Sequence, residues 1–315
     1  MAHDLVVEQS SPDLAGLASA MAELLPGVAV ISRRANLFSS SFLSELVTCR
    51  LDDGQELCLF CKYGTGAADG TGFGHRGGVA YEAMVYRQLL QPLGVRAAPF
   101  YGAHFDTNTR ATWLVLGFQQ GRRINKRLGL AAGWIGEFQR AASAQLGDSP
   151  PAWLKRYDTE YYAQWARRTL VLAVQLGLCI PWLQPVCLGF ESLAQDLLAA
   201  RPTAIHGEFY PHNVILYEDA AVPIDWESAA FGAGEIDLAS LTEGWSSEDV
   251  DECVRAYAAA RWPEGRPNDF ETVFDAARLY LDFRWLGESP AQLADPESRW
   301  YLDDLLVRGE RLGLT

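Results

Sequence analysis

Between residues 204 and 239 the chain sets carboxylates, an amide and a histidine at short intervals among apolar residues. The stretch reads Ala204-Ile205-His206-Gly207-Glu208-Phe209-Tyr210-Pro211-His212-Asn213, then Ile224-Asp225-Trp226-Glu227, then Gly234-Glu235-Ile236-Asp237-Leu238-Ala239. Hard cations such as Mg²⁺ take oxygen ligands from one or two carboxylates or amides and leave the other positions to phosphates and water. Asn213 and Asp225 have the right chemistry for that. Residues 214–217 and 222–224 are β-rich runs separated by Glu218-Asp219-Ala220-Ala221, which predicts a tight hairpin. Such a hairpin is a rigid mount, with Glu208 and Asn213 on the loop before it and Asp225 just after it.

The spacing resembles the catalytic centre of the aminoglycoside phosphotransferase and choline kinase-like family, whose members have a protein-kinase-like fold. The family pattern is His-Gly-Asp, four residues, Asn, with Pro often two before the Asn, then an Ile-Asp-Trp-Glu type segment and a Gly-x-x-Asp-Leu-Ala segment. His206, Gly207, Pro211, Asn213, Ile224, Asp225, Trp226, Glu227, Asp237, Leu238 and Ala239 fall in step. One position departs: Glu208 stands where the family has Asp. A lone His-Gly-acid would be read as a polar loop, but matched segments in order and at the right spacing favour the kinase-like reading.

The resemblance implies an α+β, bilobal protein-kinase-like fold, with a small antiparallel-sheet N-lobe over residues 1–120 and a mostly helical C-lobe over 121–315. It implies that Asp225 and Asn213 hold Mg²⁺ with Glu227 as an outer ligand, and that Glu208 orients an acceptor hydroxyl and takes its proton. His206 and Asp237 brace the catalytic loop.

In the first 120 residues the pattern predicts a helix over 5–25 and strands over 28–31, 44–51, 56–62, 97–104 and 111–121. Asp52-Asp53-Gly54 predicts a hairpin between the second and third strands. Lys62 closes the third strand, and Glu82 lies on a helix predicted over 79–90. By resemblance Lys62 contacts the α- and β-phosphates of a nucleotide and Glu82 steadies it; a snorkelling lysine and a solvated glutamate are the plainer readings. Ser39, Ser40 and Ser41 lie where the resembled fold covers the phosphates, although a surface turn would look the same. Leu116 lies on the strand that resembles the hinge receiving the adenine ring.

Residues 64–78 are glycine-rich, and Gly72-Phe73-Gly74-His75-Arg76-Gly77 fits G-x-G-x-x-G. The surrounding pattern is not βαβ and no acidic residue follows where a ribose needs one, so the stretch reads as a linker. Cys58 and Cys61 have zinc-knuckle spacing, but strand positions three apart face opposite ways and no second pair follows, so free thiols are expected. Beyond residue 120, helices are predicted over 131–146, 157–176, 182–200, 248–262, 269–285 and 296–312. Tyr161, Tyr162, Trp165, Tyr280, Phe283 and Trp285 form aromatic clusters on them that suit a core. The acidic run from Glu248 to Glu252 suits a helix amino terminus.

The 315 residues are 49% hydrophobic and 21% charged, with a formal net charge of −14. That charge disfavours nucleic acid and anionic membrane as partners and suits a cationic substrate. The first residues lack the basic run and apolar core of a signal peptide, and the most apolar stretch, 169–180, is too short to span a bilayer, which predicts a cytoplasmic protein.

The function expected is phosphoryl transfer from ATP, with Mg²⁺, to a hydroxyl of a small molecule such as an antibiotic, another natural product or a metabolite. A Ser/Thr side chain in a peptide is an alternative acceptor. A kinase-like binding module without transferase activity is the reading from another class, and Glu208 is its best support.

Overall fold

The computed structural model describes residues 12–37, 42–65 and 74–315. Ser39, Ser40, Ser41 and most of the glycine-rich stretch therefore lie outside the described residues. Contacts divide the chain into two compact units: residues 1–122 with 215–228, and residues 123–214 with 229–315.

In the first unit, helix α1 (Leu14–Leu24) is capped by Asp13, whose carboxylate accepts from the Gly16 N–H at 2.7 Å. Strands β1 (Ala29–Ala35), β2 (Leu43–Arg50) and β3 (Glu56–Thr65) follow, and then helix α2 (Gly78–Val85), which runs through a π-turn (Tyr86–Leu90) into α3 (Gln91–Leu93). Strands β4 (Phe100–Asp106) and β5 (Ala111–Gly117) complete an antiparallel sheet of order β1-β2-β3-β5-β4. Side chains alternate across a strand. Leu59, Cys61 and Tyr63 of β3 therefore join Leu17, Ala20 and Met21 of α1, Val47 and Cys49 of β2, and Trp113 and Val115 of β5 in one buried core. Each large apolar side chain buried there contributes roughly 1.5–3 kcal/mol. Lys62 has the opposite parity and leaves that core. Cys61 is buried and Cys58 half-buried; both are free thiols, and no metal-holding cluster of three or more His, Cys, Asp or Glu occurs among the described residues.

After the short strand β6 (Arg122–Arg123) the chain turns helical, with α4 (Leu128–Leu146), α5 (Thr159–Gln175) and α6 (Leu183–Ala199), and then β7 (Pro202–Ile205). Strands β8 (Val214–Tyr217) and β9 (Ala220–Pro223) form the hairpin that clusters with the first unit. The turn is two residues rather than four: Glu218 and Asp219 both take positive φ, 48° and 60°. That backbone matches the twist of paired strands, so β9 starts two residues earlier than its apolar run suggests.

Strand β10 (Ala230–Ala233) pairs antiparallel with β7, and α7 (Glu235–Thr242), α8 (Ser247–Arg261), α9 (Phe270–Glu288), α10 (Pro290–Ala294) and α11 (Arg299–Arg311) follow. Ser246 caps α8 through the Asp249 N–H, and Glu248 and Asp249 occupy its first turn, as the acidic run predicts. α4 and α8 approach closely at Gly136, where a Cβ would stand 2.7 Å from the Tyr257 carbonyl oxygen. Tyr162, Trp165, Tyr280 and Phe283 are fully buried core residues. No helix among the described residues is long and apolar enough to cross a membrane.

Candidate active site

Two groups of the expected residues are assembled, one in each unit. In the first unit Lys62, on the face of β3 turned away from the α1 core, is only 7% exposed. Its Nζ donates to Glu82 Oε2 at 2.8 Å and to Asp225 Oδ1 at 2.6 Å, and stands 3.7 Å from Glu227 Oε2. It also lies 5.1 Å above the Phe42 ring. Burial alone would lower its pKa, but Asp225, Glu82 and Glu227 outweigh it and hold the ammonium well above its ordinary value. Glu82 is buried on α2, and burial raises its pKa against the pull of Lys62.

Glu82 has a second task that its sequence context did not show. Its Oε1 accepts the backbone N–H of Trp226 at 3.1 Å, which ties α2 to the segment after the β8–β9 hairpin. The Gly77 N–H donates to the Glu227 carbonyl at 2.8 Å nearby. These bonds hold Asp225 with φ of 67°, a left-handed conformation that costs a non-glycine residue of order 1–3 kcal/mol. Glu227 is 1% exposed, beside Lys62 and 3.8 Å from Arg76. Leu116 is buried in β5, in register with Phe60 and Phe100, one residue from the end of the strand.

In the second unit the loop 206–213 is built around Asp237. This carboxylate, fully buried in the first turn of α7, accepts the N–H groups of His206 and Gly207, each at 2.9 Å, and Gln139 Nε2 at 3.0 Å. Burial pushes its pKa up to about 6 although those three donors pull it down. Gly207 has φ of 84°, which a residue with a Cβ adopts only under strain. His206 Nδ1 accepts from the Glu208 N–H at 3.3 Å. The Glu208 carbonyl takes the Tyr210 N–H at 2.8 Å and Asn213 Nδ2 at 2.9 Å, so Asn213 is locked at the end of a 3₁₀ turn (Pro211–Asn213).

Gln139 and Arg284 were missed in the sequence. Arg284 is fully buried on α9, with Nη1 3.4 Å from Glu208 Oε1 and 3.4 Å from Glu288 Oε2, and Nη2 3.5 Å from the Tyr210 hydroxyl. Its guanidinium lies 4.2 Å from the Trp285 ring centroid. The signal was present: one arginine at core spacing within Leu279-Tyr280-Leu281-Asp282-Phe283-Arg284-Trp285-Leu286.

The sequence of residues 77–269 matches the phosphotransferase enzyme family. A search of curated proteins finds no match. Among solved structures, the choline kinase LicA from Streptococcus pneumoniae is similar with a TM-score of 0.60 at 13% identity, over 95% of this chain and 98% of that one. A putative aminoglycoside phosphotransferase from Ralstonia eutropha aligns with a TM-score of 0.63 at 13% identity, over 94% of each chain. The amicoumacin kinase hAmiN, solved in complex with AMP-PNP, Ca²⁺ and Ami, aligns with a TM-score of 0.58 at 13% identity, over 95% of this chain and 92% of that one. The family match spans well over half of the chain, and the α+β structure agrees with the kinase-like architecture of these neighbours, so the chain belongs to the phosphotransferase enzyme family, with a bilobal protein-kinase-like fold.

Proposed function

We propose that the protein is an ATP- and Mg²⁺-dependent kinase that moves the γ-phosphate to a hydroxyl of a small molecule. The observation that carries this reading is Lys62, buried and charged between Glu82 and Asp225. A buried ammonium held by two carboxylates is a positioned cation for nucleotide phosphates, and phosphoryl transfer depends on such positioning. The amicoumacin kinase structure, with AMP-PNP bound, supports a nucleoside triphosphate as donor.

Residues 1–120 are assigned nucleotide binding in this reading, with Leu116 near the adenine, and residues 121–315 catalysis and acceptor binding. Asp225 and Asn213 each offer the kind of oxygen donor that a hard cation takes. The Asp225 side chain is 35% exposed, so its carboxylate is open to a ligand. Asn213 commits its nitrogen to the Glu208 carbonyl, and its amide oxygen is the atom it offers. Glu227, enclosed beside Lys62, suits an outer role. Magnesium would neutralise charge on the phosphate oxygens. Lys62 holds the α- and β-phosphates, Glu82 keeps Lys62 in place, and Glu208 orients the acceptor hydroxyl and receives its proton as the bond to the γ-phosphorus forms and the bond from that phosphorus to the bridging oxygen breaks, releasing ADP.

The test is ATP consumption with a panel of hydroxyl compounds, read by phosphorus NMR and mass spectrometry. Phosphorylated product and its loss in a folded Asp225→Ala protein, by a factor of at least about a hundred, are expected. Nucleotide binding with no turnover on any member of the panel would favour the binding-module reading, and unchanged turnover in Asp225→Ala would remove Asp225 from the site.

A further inference from the structure

Glu208 and Arg284 form a pair that explains why a longer acid occupies this position. Asp in place of Glu208 would end about one C–C bond short, roughly 1.5 Å. Its carboxylate would then fall outside direct contact with the Arg284 guanidinium, now 3.4 Å away. Arg284 is fully buried and also touches Glu288 and the Tyr210 hydroxyl, so it cannot follow a shorter partner without abandoning them. The Trp285 ring, with its centroid 4.2 Å from the guanidinium carbon, adds a cation–π contact. The backbone of Glu208 is equally fixed, by Asn213 Nδ2 and the Tyr210 N–H on its carbonyl. With both ends pinned, the glutamate length is the one that closes the gap.

We propose that Arg284 is a positioning residue for Glu208: its guanidinium orients the carboxylate toward the acceptor hydroxyl, and Glu208 with Arg284 replaces the shorter acid of the family as one unit. Arg284 has no exposed surface with which to meet a substrate, so its effect passes through Glu208. The inference rests on the kinase reading above. It assigns the departure at Glu208 to an altered geometry rather than to a decayed site.

The experiment has two arms. In the first, phosphorylation of an acceptor from the hydroxyl panel is measured at fixed pH for the parent, Arg284→Lys, Arg284→Gln, Glu208→Asp and the double variant Glu208→Asp with Arg284→Gln, alongside urea unfolding of each. Expected are an unchanged KM for MgATP, a kcat lowered roughly tenfold to a hundredfold in Arg284→Lys and in Glu208→Asp, and a double variant little slower than Glu208→Asp alone, because the arginine acts through the carboxylate. A merely structural arginine would lower stability and add its own full loss to that of Glu208→Asp. In the second arm, which needs no turnover, the Arg284 guanidinium signals are compared by NMR in the parent, Glu208→Gln and Glu208→Asp, and should shift in both variants. If Arg284→Gln does not fold, Arg284→Lys takes its place in the double variant. Losses that multiply in full, guanidinium signals unmoved in Glu208→Asp, or a kcat that rises in Arg284→Lys or Glu208→Asp would overturn the proposal. A parent that phosphorylates no member of the panel while the guanidinium signals still report Glu208 sinks the kinase reading separately.

Discussion

Asp237 is the residue from which the loop bearing Glu208 hangs, since three donors, two of them backbone N–H groups of that loop, converge on its carboxylate. Its pKa, pushed up to about 6 by burial, makes the loop's anchor sensitive to pH. The native carboxyl binds its proton more tightly than the unfolded one, whose pKa is about 3.9. The associated stability is therefore complete below about pH 4 and is lost as pH rises through 6. Between pH 5 and 7.5 the loss is roughly 1 to 1.5 kcal/mol. Asp237→Asn does not titrate at this position, so urea unfolding should show its deficit relative to the parent shrinking by about that amount over the same range. A deficit that grows with pH would mean that the ionised form is the better acceptor for the three N–H groups. The loop's polar motif was legible because its residues lie close together in sequence. Gln139 and Arg284, 98 and 76 residues away from the partners they serve, were not.

The strand β3, helix α2 and the segment after the β8–β9 hairpin act together through Glu82. From sequence, Glu82 is expected to act by steadying Lys62, which makes the double variant little worse than Lys62→Ala alone. The Trp226 N–H on Glu82 Oε1 changes that expectation, because removing Glu82 also releases the backbone beside Asp225. Lys62→Ala should lower kcat/KM for MgATP most. The double variant should be worse than Lys62→Ala alone, yet better than the product of the two single losses, with a coupling of about 0.5 to 3 kcal/mol. Full additivity would show that Lys62 and Glu82 do not act as a pair; a double variant equal to Lys62→Ala would make the Trp226 bond dispensable. Most strand and helix positions were readable from apolar periodicity. Among the elements it did not foretell, β10 and α7 are buried throughout and β7 is buried except at Pro202, so they show no alternation to read. The hairpin and the segment after it cluster with the first unit, and Glu82 reaches Trp226 of that segment 144 residues away, a contact no local pattern encodes.

At the scale of the molecule, net charge governs how ligands approach. A net charge of −14 opposes the approach of a nucleotide polyanion and favours that of a cation. Exposed charges are screened beyond about 10 Å at 0.1 M salt, whereas a buried pair is screened much less. The local attraction supplied by Lys62, 7% exposed, should thus survive salt while the long-range repulsion fades. Raising KCl from about 50 to 300 mM should increase kcat/KM for MgATP by less than about tenfold. The same titration sorts acceptors: kcat/KM for a cationic hydroxyl compound should fall with salt, and that for a neutral one should stay level. A steep fall for MgATP would show that positive charge near the nucleotide outweighs the net charge at the distances that govern encounter, because screening then removes an attraction rather than a repulsion.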